Sequence, residues 1–200
     1  MTIHLQKGQR IDLNKTAPGL AKVYCGLGWD PVKARGGGLF GMFGTQSPAI
    51  DLDASVICLQ QGKFQSNSDL IFFNNLSHYS GAIRHFGDNL TGEGEGDDEV
   101  IEIILTQVPL HIDRLIVVVN IYDCINRQQH FGLIENAFVR LLNSQTRQEL
   151  VRFDLSGADY TGMTALLMAE LYRHDRTWKM AALGEGITIN HLGEILKRFS

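Results

Sequence analysis

The alternation of apolar and polar residues most constrains what this chain can fold into. Residues 23–29 (VYCGLGW) place an apolar side chain at every second position, and residues 101–105 (IEIIL) repeat the pattern. Successive side chains of a β-strand point to opposite faces, so each segment is predicted to be a strand with one buried face. Further strands are predicted at 50–59, 70–74, 82–86, 114–122, 137–142, 149–155, 165–172 and 177–183. Short strands at this spacing predict an all-β fold, an antiparallel β-sandwich.

The C-terminus has a different period. Leu192, Ile195, Leu196 and Phe199 fall at i, i+3, i+4 and i+7, which predicts an amphipathic helix with Asn190 as its N-cap. The chain has 200 residues, of which 44% are hydrophobic and 20% charged. These values are typical of a globular chain, and we expect one domain over residues 1–200.

The sequence predicts a cytoplasmic protein. No apolar run approaches the roughly 20 residues that a membrane span requires, and the polar N-terminus MTIHLQKGQR lacks a signal-peptide core. The sequence leaves open a peripheral association with a membrane surface. Cys25, Cys58 and Cys124 are far apart in sequence and outside any C-x-x-C pair, so we expect reduced, buried thiols.

Negative charge is concentrated in one short segment. The chain carries 22 acids and 18 bases, and six of the acids lie in residues 88–99, which hold no Lys or Arg. The other 16 acids are nearly balanced by the 18 bases. We call residues 88–99 the acidic segment. A cation is its natural partner, and nucleic acid is disfavoured.

Calcium is the cation that the acidic segment fits best. Calcium takes six to eight oxygen ligands, and the segment GDNLTGEGEGDDE combines carboxylates with glycines that let backbone carbonyls turn inward. A solvated acidic loop is the alternative interpretation. The segment is not an EF-hand loop, because Leu90 and Gly92 stand where oxygen ligands are required and Glu93 stands at the invariant glycine. Magnesium prefers fewer carboxylates, and zinc prefers His or Cys.

Oxygen-bearing residues elsewhere in the chain could complete such a site. Asp51 and Asp53 share one face of a predicted strand, Asn74 and Asn75 end an apolar strand, and Asp30 ends another. Because Asn and Asp commonly end strands, turn formation is the competing interpretation for each of them.

The glycine-rich stretch GGGLFGMFG at Gly36 to Gly44 interrupts the strand pattern. Its glycines suit a surface loop, whereas its apolar side chains suit a docking or self-association loop. The residues themselves leave both interpretations open.

Catalytic motifs are absent from the sequence. It has no G-x-x-x-x-G-K phosphate loop, no H-E-x-x-H zinc motif and no G-x-S-x-G elbow. Calcium would also keep neighbouring carboxylates ionised, which removes the protonated acid that acid–base catalysis needs. We therefore expect no enzyme, and either a calcium-dependent interaction module or a structural site where calcium only holds loops together. The alternatives are a calcium-dependent enzyme, and a protein that binds a nucleotide or small ligand through a metal-bridged phosphate.

Several motifs, in order, resemble one family across nearly the whole chain. They are GLGWDP (26–31), DLDAS (51–55), FFNN (72–75), HFGDNLTGEGEGDDE (85–99), NIYD (120–123), NAFVR (136–140), ELYR (170–173) and TWKM (177–180). Together they resemble the TerD family of tellurite-resistance and general-stress proteins. The Gly36 to Gly44 stretch resembles the TerZ branch more than TerD proper. Where relatives carry an acid before a glycine, this chain has Ser80 before Gly81.

The resemblance implies a β-sandwich that binds two calcium ions and acts in resistance to tellurite, phage or other stress. It also implies partner proteins in a stress-resistance complex. The ligand residues that it implies are Asp30, Asp51, Asp53, Asn74, Asn75, Asp88, Asn89, Glu93, Glu95, Asp97, Asp98 and Glu99.

Overall fold

Two six-stranded sheets make up most of the protein, whose computed structural model describes residues 2–31, 50–87 and 97–200. Sheet I contains, in spatial order, β1 (Ile3–His4), β10 (Glu149–Ser156), β9 (Ile134–Asn143), β3 (Val23–Pro31), β7 (Glu99–Ile103) and β6 (Ile83–His85). Sheet II contains β2 (Arg10–Asp12), β12 (Thr177–Ile187), β11 (Ala165–His174), β8 (Arg114–Ile121), β4 (Leu52–Leu59) and β5 (Leu70–Ile71). These pairings are antiparallel except that of β1 with β10. The predicted all-β antiparallel sandwich is therefore confirmed.

Helical elements are short. They are α1 (Leu13–Thr16), α2 (Cys124–Arg127) and α3 (Gly193–Leu196), with 3₁₀ turns at Asn67–Asp69, Phe131–Leu133, Gly157–Tyr160 and Lys197–Phe199. Across the described residues, no helix is long and apolar enough to cross a membrane.

The main core lies between the two sheets, where the alternating residues of β3 point inward. Cys25 pairs in register with Leu141 of β9 and with Ile101 of β7, and all three side chains are buried. The period-two prediction for residues 23–29 is therefore confirmed. Cys25, Cys58 and Cys124 are free and buried as expected, and burial raises the pKa of the Cys25 thiol to about 12.

A second, smaller core covers the outer face of sheet II. Ile57 of β4, Ile116 of β8 and Leu167 of β11 form it together with Ile195 of α3, while Phe199 packs at its edge. Because these strands bury both faces, every residue of β4 is buried. The predicted C-terminal helix is thus confirmed as the element that closes this face.

The predicted N-cap of that helix is wrong. Leu192 occupies the cap position without a side-chain cap bond. The Asn190 side chain instead donates from Nδ2 to Glu194 Oε1 at 3.1 Å, and its backbone N–H donates to Glu194 Oε2 at 3.3 Å. Asn190 therefore lies outside the helix and holds its first turn through a carboxylate.

Strand lengths at the edges of the two sheets differ from the sequence expectation. The strand expected over residues 70–74 stops after Ile71 because Phe72 and Asn75 exchange two backbone hydrogen bonds in a tight turn. Strands β1 and β2 contain two and three residues. Such lengths are too short to show an alternating pattern, so they were not predicted.

Two side chains of sheet I bond to the backbone of sheet II. Ala54 of β4 lies beyond the residues that pair with β5. Its N–H donates to Glu99 Oε2 at 2.6 Å, and its carbonyl accepts from His85 Nε2 at 3.2 Å. Gly87 N–H donates to the other ring nitrogen of His85, which assigns the neutral Nε2–H tautomer. Glu99 and His85 thus hold the start of β4 against β7.

We expect Ile195→Ala to lower the free energy of unfolding by about 2 to 5 kcal/mol, because Ile195 is fully buried in the second core. Urea unfolding followed by circular dichroism measures the change. Leu110→Ala is the control, since Leu110 is 88% exposed and its truncation should change stability by no more than about 0.5 kcal/mol. Equal losses in the two variants would contradict the packing of α3 on sheet II.

Candidate metal site

Most of the predicted ligands that the structure describes lie at one end of the sandwich. Strand β3 ends there at Pro31 and β8 ends there at Ile121, while β4 and β7 begin there. The pairing of Leu27 with Glu99 in sheet I and the bond from Glu99 to Ala54 in sheet II place these strand ends together. Gly87 and Asp97, which flank the undescribed part of the acidic segment, lie at the same end because β6 and β7 are antiparallel.

Sheet II contributes a buried group of oxygen-bearing side chains. Asp53 of β4 lies opposite Asn120 of β8, and Asn120 Nδ2 donates to Asp53 Oδ2 at 3.4 Å. Asp51 and Asp53 are only 7% and 4% exposed. The Oδ1 atom of Asn120 is buried and accepts no hydrogen bond from the described residues. An uncompensated buried amide oxygen is costly, so this atom is suited to a ligand.

Asn120 was missed as a candidate ligand, although the sequence analysis noted its motif NIYD. The available clue was position, because Asn120 ends an apolar run (LIVVVN) in the way that Asn75 ends LIFFNN. What the sequence could not show is the register that places Asn120 beside Asp53.

Asp51 already has a cationic neighbour. Arg127 Nη1 of α2 lies 3.5 Å from Asp51 Oδ2, and Arg127 Nε lies 3.9 Å from Asp123 Oδ2. The guanidinium also sits 5.4 Å from the centre of the Tyr122 ring. The charge of Asp51 is therefore partly compensated without a metal.

Sheet I contributes Asp98 and Asp30. Asp98 N–H donates to the Leu27 carbonyl, and Asp98 Oδ2 accepts from Trp29 N–H at 2.8 Å, so this residue extends the ladder between β7 and β3. Asp30 is exposed, and its Oδ2 accepts from Asn136 Nδ2 at 3.1 Å. Both carboxylates lie at the site end of the sheet.

Asp97 is held on the outer face of sheet I. Arg140 Nε of β9 donates to Asp97 Oδ1 at 2.7 Å, and Arg140 Nη1 donates to Glu149 Oε2 at 3.0 Å. The hydrogen bond to Asp97 raises the pKa of the Arg140 guanidinium. A Cβ atom at Gly26 would collide with the Asp97 carboxylate, so the first glycine of GLGWDP makes room for this ion pair.

Asn74 and Asn75 lie in the turn after β5. Asn75 Nδ2 donates to the Leu70 carbonyl at 2.7 Å, a bond that closes this turn, and Asn74 is exposed. These positions agree with the turn interpretation of the two residues. Four predicted ligands lie outside the described residues, as does the stretch Gly36 to Gly44; they are Asp88, Asn89, Glu93 and Glu95.

A polar cleft of about 430 Å³ opens beside Asp30 and Asp98. Arg152 and Asp154 of β10 form its far wall, joined by a bond of 2.6 Å from Arg152 Nε to Asp154 Oδ1. The Arg152 guanidinium also lies 3.8 Å from the centre of the Phe138 ring, another lining residue. The cleft therefore combines carboxylates, a guanidinium and an aromatic ring.

The donors at this end fit calcium in kind. Asp51, Asp53, Asp98 and Asn120 offer oxygen atoms, which hard divalent cations prefer. Within residues 2–31, 50–87 and 97–200, however, no three His, Cys, Asp or Glu side chains group closely enough to hold a metal. A complete coordination shell would need ligands from the rest of the acidic segment.

Comparison with known proteins gives the family. The TerD domain model matches residues 1–199. The chain belongs to the TerD family. It is 49% identical to stress response protein SCP2 of Bacillus subtilis over the full length of both chains. It is 44% identical to tellurium resistance protein TerD of Serratia marcescens, over 93% of this chain and 91% of that protein. The family resemblance read from the motifs is thereby confirmed.

The fold has a counterpart among solved structures. A homologue of telluride resistance protein (TerD) from Streptomyces coelicolor superposes with a TM-score of 0.67 over 91% of this chain and 99% of that one. The two sequences are 23% identical, so this likeness concerns the fold.

We expect Gly26→Ala to destabilise the protein by about 1 to 3 kcal/mol, because the added methyl group displaces Asp97 from Arg140. Urea unfolding of Gly26→Ala, Asp97→Ala and the double variant measures the coupling. In the Asp97→Ala background the glycine substitution should cost at least about 0.5 kcal/mol less. Strict additivity of the two losses would contradict the placement of Asp97 over Gly26.

Proposed function

We propose that this TerD-family protein binds calcium at the end of the sandwich where Asp51, Asp53 and Asn120 meet the acidic segment. The observation that carries the proposal is the buried Asn120 Oδ1, which lies beside Asp53 and accepts no hydrogen bond from the described residues. A calcium ion would supply the missing partner and neutralise the adjacent carboxylates.

The charge distribution supports the same proposal. The acidic segment carries six carboxylates, and its described part, residues 97–99, lies at the end that also holds Asp30, Asp51 and Asp53. Like charges this close destabilise the folded state unless cations neutralise them. Calcium tolerates a high carboxylate number and irregular geometry, whereas magnesium demands a near-octahedral shell with retained water.

The contacts divide the predicted ligands into two groups. Asp97 and Glu99 carry structural bonds, to Arg140 and to Ala54 N–H respectively. We assign metal binding chiefly to Asp51, Asp53, Asn120 and residues 88–96 of the acidic segment, with Asp30 and Asp98 at the margin of the site. The family resemblance implies two ions, and the wide spread of these residues over both sheets is compatible with two positions.

We further propose that the calcium-loaded protein acts in the cytoplasm as an interaction module in the stress response. Exposed aromatic side chains adjoin the site: Tyr122 N–H donates to the Asp51 carbonyl, and the Tyr122 ring contacts Phe73 edge-on at 6.2 Å. These rings are 46% and 36% exposed. Aromatic residues at a surface are favoured contact points for partner proteins.

A second candidate function rests on the cleft. Its walls carry Asp30 and Asp98 on one side and Arg152 on the other. A metal held by the carboxylates could bridge a phosphate, while Arg152 and Phe138 would contact the rest of a small ligand. In this second function the protein binds a nucleotide or similar small ligand through the metal, or catalyses a reaction of that ligand.

Thermal unfolding of chelator-stripped protein tests calcium binding. Calcium at about a hundredfold above its dissociation constant should add about 2.7 kcal/mol to the free energy of unfolding and raise Tm by several degrees. Magnesium should do much less. Asp53→Asn should lose most of the shift, since Asp53 lies beside Asn120 in the buried group.

Asp175→Asn is the matched control, because it removes the same charge from an exposed position in the turn between β11 and β12, at the opposite end of sheet II. It should keep the calcium shift. An unchanged Tm in calcium, or equal shifts in Asp53→Asn and wild type, would contradict the proposed site.

A further inference from the structure

We infer that Arg127 is a built-in competitor of calcium for Asp51, and that it sets the calcium affinity of this site. The inference rests on the proposed function and adds a residue that weakens binding. Its basis is the guanidinium that Arg127 places 3.5 Å from Asp51 Oδ2. A cation already at the carboxylate must be displaced or repelled when calcium arrives.

The backbone fixes Arg127 opposite Asp51. Tyr122 N–H donates to the Asp51 carbonyl at 2.8 Å, which ties the end of β8 to the residue before β4. Asp123 then takes a left-handed conformation with φ of 51°, and Arg127 N–H donates to the Asp123 carbonyl at 3.1 Å. The single turn of α2 therefore returns the Arg127 side chain to Asp51. This placement follows from the fold and not from chance surface contact.

The contact between Arg127 and Asp51 is a long ion pair. Its 3.5 Å separation is longer than the 2.7 to 2.9 Å typical of a charge-assisted hydrogen bond. Arg140 and Asp97, by contrast, are joined at 2.7 Å. Calcium carries twice the charge of a guanidinium and approaches a carboxylate oxygen to about 2.3 to 2.6 Å, so it can replace Arg127 at Asp51.

Arg127 has two other contacts that do not depend on Asp51. Asp123 Oδ2 lies 3.9 Å from Arg127 Nε, and the Tyr122 ring lies beneath the guanidinium. Both contacts can persist when the Asp51 carboxylate binds calcium. Losing the Asp51 contact therefore leaves no buried, uncompensated charge on Arg127, whose side chain is 28% exposed.

Competition and affinity are linked reciprocally. If calcium weakens the contact between Arg127 and Asp51, that contact must weaken calcium binding by the same factor. Removing the guanidinium should therefore tighten calcium binding, while the calcium-free protein loses a stabilising partner of Asp51. These two effects have opposite signs, and a purely structural role for Arg127 would not produce both.

Titration calorimetry of Arg127→Met, a neutral side chain of similar length, is the test. Calcium should bind about fivefold tighter or more than to wild type, and the Tm of the calcium-free variant should fall. Arg114→Met is the matched control. Arg114 pairs with Glu170 and Asp113 at the start of β8, six residues or about 20 Å from Asn120. Arg114→Met removes the same net charge and should leave the calcium affinity within about twofold of the wild-type value.

The outcomes separate this inference from the proposed function. If wild-type protein binds no calcium, the proposed function fails. If wild type binds calcium but Arg127→Met binds it equally or more weakly, the competitor role is wrong.

A measurement on the wild type covers the case in which Arg127→Met does not fold. The Nε–H resonance of Arg127, assigned by its loss in Arg127→Lys, should shift in step with calcium binding. A resonance that stays unchanged at saturating calcium would overturn the inference.

Discussion

The carboxylate of Glu99 joins the two sheets at the end that holds the candidate site. Glu99 extends from β7 of sheet I and accepts from Ala54 N–H of sheet II, while His85 donates to the Ala54 carbonyl. These bonds give Ala54 the two partners that a neighbouring strand would have supplied. The start of β4 is thereby fixed relative to β7, and with it the spacing between Asp51 and Asp53 on one sheet and Asp98 on the other.

The carboxylates at this end make contacts of two kinds. Asp97 and Glu99 hold strands in place, each through a short bond to an arginine or a backbone N–H. Asp51 lies in a looser electrostatic contact with Arg127, and Asp53 shares a long hydrogen bond with Asn120. The proposed calcium site would use Asp51 and Asp53 as part of its ligand set, with further ligands from the acidic segment.

Local patterns predicted much of the fold. Alternation over residues 23–29 and the helical spacing of Leu192 to Phe199 are properties of neighbouring residues, and both predictions hold. The concentration of six carboxylates in residues 88–99 predicts a cation site, which stays a prediction. The sequence could not distinguish Asp97 from Asp98, which are adjacent and equally acidic yet bond to Arg140 and to Trp29 N–H.

Long-range pairings explain the remaining differences. Arg140 is 43 residues from Asp97, and Asp53 is 67 residues from Asn120, so only strand register brings each pair together. Strand β5 ended early because a turn bond between Phe72 and Asn75 prevailed over the β-type composition of the segment. The motifs led to the family resemblance, and the TerD domain match over residues 1–199 confirms it.

The most direct test of the account is a crystal structure of the protein soaked in calcium, with an anomalous difference map. The account predicts a peak within about 2.3 to 2.6 Å of oxygen atoms from Asp53, Asn120 and the acidic segment, with Arg127 moved away from Asp51. A map without a peak at saturating calcium, or a peak that involves none of these residues, would contradict it.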